Sequence, residues 1–197
     1  MVIQPRQEKV AAIVLAAGAG KRIGRSKALL PLGDSNFLDS IISHLIEAGI
    51  SHIIAVISPE VSTKLDAKNY NVDFALNGEK HADMWSSLLI GVAQLWNAVG
   101  CLIIPVDHPF VKAETFRLLK ESFLRQPASI IVPTYQEQSG HPVVLPYDWA
   151  KTLPSISVDG GLRTAIRNSG LNVCRIETND SGILRNINEQ KDLEIAP

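Results

Sequence analysis

Four stretches of this chain are apolar at nearly every position: KVAAIVLAA from Lys9, HIIAVIS from His52, CLIIPV from Cys101 and SIIVPT from Ser129. A strand with one wet face alternates polar and apolar residues. A strand apolar throughout must be covered on both faces, as in a parallel sheet. HPVVLP, from His141, is a shorter candidate strand. Between these runs the spacing changes to that of a helix. NFLDSIISHLIEAG sets Leu38, Ile41, Ile42, Leu45 and Ile46 on one face and stops at Gly49. DMWSSLLIGVAQLW and KAETFRLLKESFLR behave in the same way. Strands alternating with helices imply βαβ units, hence a three-layer α/β sandwich with a largely parallel sheet. Ligands of such sheets bind beyond the carboxyl ends of the strands, so the loops after Ala17, Val106 and Val132 are expected along one functional edge.

The chain has 197 residues, the size of one domain, and the expectation is a single domain over 1–197. Its formal net charge of −1 argues against a broad nucleic-acid footprint or a polybasic membrane patch. Cys101 and Cys174, far apart in sequence, make neither a disulfide framework nor a metal ladder. With no apolar run long enough for a bilayer, these features lead us to expect a cytoplasmic protein without membrane or nucleic-acid partners.

The first apolar run breaks into glycines and then cations: LAAGAGKRIGRSK, Leu15 to Lys27. Glycine-rich strand-to-helix loops let backbone N–H groups approach phosphate oxygens. The Walker spacing fails here because Gly18 and Gly24 are one residue too far apart. The G-x-G-x-x-G spacing fails at Ile23. A dehydrogenase-type T-G-x-x-x-G-x-G fits apart from Ala17 and Arg22, and Tyr147 with Lys151 supplies a Tyr-x-x-x-Lys pair. Against a short-chain NAD(P) oxidoreductase stand Pro146 and Pro154, which bracket that pair too closely for a long helix. Arg22 would also intrude on the pyrophosphate. Arg22 and Lys27 suit a triphosphate better, the first as a bidentate fork and the second as a mobile point charge. Lys21 and Arg25 read as solvated cations.

LIIPVDHPFV ends an apolar strand in Asp107, with prolines on both sides. A carboxylate at the carboxyl end of a parallel strand faces the ligand edge and is placed for Mg²⁺, although Asp before Pro-containing turns is also common in loops.

LAAGAGKRIGRSKALLP resembles the signature L-A-A-G-x-x-x-R-M-G-x-x-K-x-L-L-P of the MobA-like nucleotidyltransferases, and looks closest to the molybdenum cofactor cytidylyltransferase branch. Leu15, Ala16, Ala17, Gly18, Arg22, Gly24, Lys27, Leu29, Leu30 and Pro31 match; Ile23 replaces Met. The resemblance implies a Rossmann-like mixed sheet of the nucleotide-diphospho-sugar transferase type. It also implies transfer of an NMP to a phosphorylated acceptor such as molybdopterin, with CTP favoured by the LAAG form. By match, Leu15, Ala16, Ala17, Gly18, Arg22 and Lys27 hold the nucleotide and Asp107 holds the metal. Asn77 and Gly78 would lie near the base, Ser86 and Ser87 near acceptor or phosphates. His141 in SGHPVV and Arg163 in DGGLR would meet the acceptor, with Asp159 capping the helix that follows. Where the family ends in D-x-D-T-P-E-D-L this chain reads NINEQKDL, so Asn188 stands at the second metal position and brings no charge. A non-catalytic nucleotide- or cofactor-binding module of the same fold therefore stays open beside the enzyme. His108 fills a variable position and receives no role, and the tail from Asn188 is expected to form one short helix.

Overall fold

A computed structural model describes residues 9–18, 20, 26–65, 72–79, 82–156, 159–188 and 192. Strands β1 (Val10–Ala16), β2 (Pro31–Leu32), β3 (Ser35–Asn36), β4 (Ile53–Ile57) and β5 (Asp73–Leu76) form the first half, with β6 (Gly100–Pro105), β7 (Ile130–Tyr135), β8 (Gln138–Ser139), β9 (Val143–Pro146) and β10 (Val173–Glu177) in the second. Helices are α1 (Phe37–Glu47), α2 (Pro59–Lys64), α3 (Met84–Gln94), α4 (Ala113–Arg125), α5 (Tyr147–Ala150) and α6 (Gly161–Asn168).

The main sheet runs β10-β7-β9-β6-β1-β4-β5, with β8 paired to β7. β1 is parallel to both β4 and β6, and β9 runs antiparallel between β6 and β7. This is the mostly parallel mixed sheet expected. β1 shows why its sequence has no polar position. Ala12, Val14 and Ala16 pack into one core with Phe37, Ile41, Phe116 and Leu119 of α1 and α4. Ala11, Ile13 and Leu15 pack into a second core with Leu88 and Val92 of α3 and Ala165 of α6. Two cores back to back on one sheet make the three layers. Gly91 of α3 lets that helix close on the sheet, since a Cβ there would fall inside van der Waals distance of Ile13 and Val56.

Each of the three helical segments forms its helix, and Asn36 caps α1 through a 2.9 Å bond from the Asp39 amide. Two details differ from expectation. β7 does not end at Val132 but runs to Tyr135, where Gln136 and Glu137 turn the chain with φ of 50° and 67°. Asp159 is not the cap of α6; Gly160 takes that position at φ 104° with no side-chain bond, a conformation costly for any residue with a Cβ. The short C-terminal helix expected from Asn188 falls outside the described residues, except for Asn188 and Asp192.

Candidate functional site

Leu15 pairs in register with Pro105, so the carboxyl ends of β1 and β6 lie side by side and their loops share one crevice. Lys27 leaves the β1 loop at the start of a 3-10 turn, Lys27–Leu29. Ser26, Ala28 and Leu30 around it are buried, which fixes the backbone and leaves the lysine stem to reach inward. Asp107 follows β6 by two residues. The Val106 amide extends the ladder to Leu15, the His108 amide bonds back to Pro105, and the Asp107 carbonyl accepts from Ile187 at 2.9 Å.

These restraints bring three residues from distant parts of the chain to one point. Lys27 Nζ lies 2.9 Å from Asp107 Oδ2 and 2.7 Å from Asn188 Oδ1. His108, 7 % exposed, places Nδ1 3.0 Å from Asp107 Oδ1. Burial pushes the Asp107 carboxyl up, but hydrogen bonds and charge from His108 and Lys27 outweigh it and hold it down at about 2. Asp107 is therefore ionised across the physiological range.

Two oxygens, one charged, converge on a single cation position. That donor set fits Mg²⁺, which takes one or two protein oxygens and completes its shell with water and phosphate. Among the described residues no group of three or more His, Cys, Asp or Glu could hold a metal on protein ligands alone. Water and phosphate oxygens would supply the remaining ligands.

A cavity of about 180 Å³ opens on this point and is lined by Ala17, Gly18, Gly20, Lys27, Ser87 and Asp107. A wider one of about 1260 Å³ adjoins it and shares Leu15, Asp83 and Met84. His141 and Arg163 line the wider cavity. Ala16 is fully buried with its side chain in the core. His141 is held by two amide bonds, from Gly140 to Pro133 and from its own N–H to Ile183, each 3.0 Å. Gly140 has no substitute there because a Cβ would collide with the Ile183 carbonyl. Burial, then the neighbouring His108, lowers the His141 imidazole to about 4 against a smaller opposing pull from Asp107, so it is neutral at pH 7.

Asn77 is 1 % exposed, and its amide donates at 3.0 Å to both Ser86 Oγ and Ser87 Oγ while its oxygen accepts from Glu79. Ser86 also completes a capping box with Asp83. This group clamps the start of α3 beneath the cavity; of its three members, Ser87 lines it. Gly78 is exposed beside it. Arg22, the other cation expected on the triphosphate, lies outside the described residues.

The Tyr147–Lys151 pair of the dehydrogenase alternative is elsewhere. Pro146 pairs with Gly100, the first residue of β6, so α5 begins at the amino edge of the sheet, opposite the crevice. Tyr147 donates to the Leu95 carbonyl, and Lys151 sits over its ring.

Sequence reasoning passed over two residues that shape the site. His108 is one. The other is Asp180, 4 % exposed, which accepts from the Lys112 amide (2.9 Å), Thr115 Oγ1 (2.6 Å) and the Gly182 amide (2.9 Å). It ties the segment leading to Asn188 onto the start of α4. TNDSG reads as an ordinary turn, so nothing in the sequence distinguishes it.

Strand ends converge here on a lysine-bridged carboxylate, beside a glycine turn and a roomy second cavity, an edge suited to an anionic ligand. The MobA-like NTP transferase domain matches residues 12–173, and the chain belongs to that family. It is 27 % identical over 183 residues to the Nicotine blue oxidoreductase of Paenarthrobacter nicotinovorans, covering 87 % of this chain and 88 % of that one. It is 28 % identical over 138 residues to the "Probable molybdenum cofactor guanylyltransferase" of Natranaerobius thermophilus, covering 68 % and 63 % respectively. Among solved structures, a homolog of Mycobacterium tuberculosis Rv0371c from Mycobacterium sp. strain JC1 superposes with a TM-score of 0.79 at 25 % identity, over 94 % of this chain and 93 % of that one. Rv0371c itself, solved with manganese, gives 0.76 at 22 % identity, over 94 % and 96 %. CMP:2-keto-3-deoxy-manno-octonic acid synthetase with CTP gives 0.79 at 12 %, over 95 % and 96 %, a likeness of fold. No described helix is long and apolar enough to cross a membrane.

Proposed function

We propose that the chain transfers CMP from CTP to a phosphorylated small-molecule acceptor, of which molybdopterin is the leading candidate, with Mg²⁺ and release of pyrophosphate. The observation that carries the reading is Lys27 Nζ held between Asp107 Oδ2 and Asn188 Oδ1 at the carboxyl edge of the sheet. The glycine turn, Leu15 to Gly18 with Arg22, takes the triphosphate. Asn77 and Gly78 shape the floor toward the base, and Ser86 and Ser87 set the helix start beneath the phosphates. His141 and Arg163 face the acceptor. Asp107 and Asn188 would hold the metal, which when bound neutralises phosphate charge.

A phosphate oxygen of the acceptor attacks the α-phosphorus, and the bond from that phosphorus to the β-bridging oxygen breaks. The electron pair leaves with pyrophosphate. A phosphate nucleophile is already anionic near neutral pH, so no general base is needed. Positioning and charge neutralisation supply the catalysis. Lys27 serves the α-phosphate as charge reorganises there, and Arg22 the leaving pyrophosphate.

The favoured nucleotide rests on the LAAG form of the turn, while a relative carries a guanylyltransferase name. A thermal-shift panel of CTP, GTP, ATP, UTP and NADPH, with and without Mg²⁺, decides it. A ligand at a thousandfold its Kd adds about 4 kcal/mol. CTP–Mg²⁺ is expected to lead; a shift by GTP in its place corrects the nucleotide, and none by any triphosphate overturns the reading. The 27 % identity to a protein named as an oxidoreductase favours a second reading, in which the glycine turn takes a dinucleotide. A shift by NADPH alone would support it. CTP binding with no pyrophosphate release for any phosphorylated acceptor would instead indicate a binding module.

A further inference from the structure

His108 touches both halves of the site. On one side its Nδ1 lies 3.0 Å from Asp107 Oδ1. On the other its ring meets that of His141 edge to face, with centroids 4.8 Å apart and an interplanar angle of 66°. Asp107 has two oxygens and two partners: Lys27 holds Oδ2 and His108 holds Oδ1. An ionised carboxylate only accepts hydrogen bonds, so His108 Nδ1 must carry the proton it donates. That bond fixes the carboxylate torsion and leaves Oδ2 facing the position where Lys27 and Asn188 meet. His141 has its own Nδ1 buried with no partner among the described residues, so ring packing against His108 substitutes for a hydrogen bond in orienting it on the acceptor cavity wall.

Resting on the metal-assisted reading above, we propose that His108 is a positioning residue with two separable contacts. Its N–H aims Asp107 at the cation, and its ring aims His141 at the acceptor. Outer partners of metal-binding carboxylates commonly tune affinity ten- to a hundredfold.

Two substitutions divide the roles. His108→Asn keeps a donor close to the Nδ1 position and removes the ring. His108→Phe keeps a ring and removes the donor. Mn²⁺ titrations of the full chain with CTP present, read by water-proton relaxation, report the first contact. The ring proton resonances of His141, displaced by the ring current of residue 108, report the second. His108→Phe is expected to weaken Mn²⁺ binding about ten- to a hundredfold while His141 stays displaced; His108→Asn is expected to keep Mn²⁺ within about threefold while the displacement vanishes. A merely structural role would move both readouts together in both variants, and that result overturns the inference, as does wild-type Mn²⁺ affinity in His108→Phe. On the unaltered chain, ¹⁵N shifts must show His108 protonated at Nδ1; an Nε2-only tautomer also overturns it. A wild-type chain that binds CTP but no Mn²⁺ sinks the metal reading itself, an outcome distinct from unchanged binding in the Phe variant.

Discussion

Lys27 and Asp107, 80 residues apart, form an ion pair of 2.9 Å at a point where both side chains are less than one-fifth exposed. With Asn188 Oδ1 on the other side of the ammonium, the lysine occupies the position that suits a divalent cation. Metal and ammonium cannot share it. On the proposed function, Lys27 would therefore swing away when metal and nucleotide enter, and the α-phosphate is the anion that would receive it. Lys27→Met is expected to lower turnover about 10²- to 10³-fold, the cost of removing one well-placed transition-state donor. The same variant should bind Mn²⁺ more tightly than wild type when no nucleotide is present, because nothing competes for Asp107 and Asn188. Isothermal titration of both proteins checks this opposite pair of effects; equal or weaker Mn²⁺ binding by Lys27→Met refutes the competition.

Asn188 supplies a neutral oxygen where a carboxylate would add charge. Since affinity for hard cations follows ligand charge, Asn188→Asp should tighten Mn²⁺ binding about tenfold with CTP present, and Asn188→Ala should loosen it by a similar factor. Titration of the two variants against wild type measures this. An Asn188→Ala protein with unaltered affinity would remove Asn188 from the cation site.

Much of this architecture is legible in the chain, and the physical reason is burial. β1, β4, β6 and β7 are covered on both faces, so their sequences are apolar throughout, and α1, α3 and α4 each carry an apolar stripe toward the sheet. β5 and β10 escape such reading because they are edge strands. Asp73, Arg175 and Glu177 stand exposed on them, which leaves β5 only the three apolar residues Phe74 to Leu76 and β10 only Val173 and Cys174 in succession. Lys27 and Asp107 are readable from strand-end position and charge. Asn188 is reached through the family pattern, since Asn in a loop has no chemical signature of its own. His108 and Asp180 act through contacts that only the folded chain makes, the ring of His108 against that of His141 in one case and bonds 65 to 68 residues across the chain in the other.

His141 makes stability depend on pH in a defined window. Its imidazole is lowered from 6.5 to about 4 by burial and by His108, against a smaller opposing pull from Asp107. The unfolded chain thus binds a proton near pH 6.5 that the folded chain refuses until about pH 4, and stability must fall as pH drops through that interval. The loss attributable to this residue is on the order of 3 kcal/mol at most. Urea unfolding of wild type and His141→Gln at pH 7.5, 5.5 and 4.5 tests it. The wild type should lose stability faster than the variant between the first and last points; parallel curves would place the titration elsewhere.

Asp180 offers the sharpest test of how the site is held together. Its carboxylate is buried and accepts three hydrogen bonds, two of them from the start of α4. Bonds to a charged group contribute more than neutral ones, and a buried amide left without a partner costs a further desolvation penalty. Asp180→Ala should therefore lose about 3 kcal/mol or more. Asp180→Asn, which keeps the shape and can still accept from one or two of the donors, should lose less. The segment it anchors carries the Ile183 carbonyl that receives the His141 amide, and runs on to Asn188. Asp180→Ala is thus expected to weaken Mn²⁺ binding although residue 180 contacts neither Lys27 nor Asp107 directly, and to do so at temperatures well below its Tm. Urea denaturation measures the first effect, and Mn²⁺ titration of the folded variant with CTP the second. A variant that is destabilised but binds Mn²⁺ like wild type would show that Asn188 keeps its place without this anchor, held by the Ile187 amide on the Asp107 carbonyl and by Lys27 between Asp107 and Asn188.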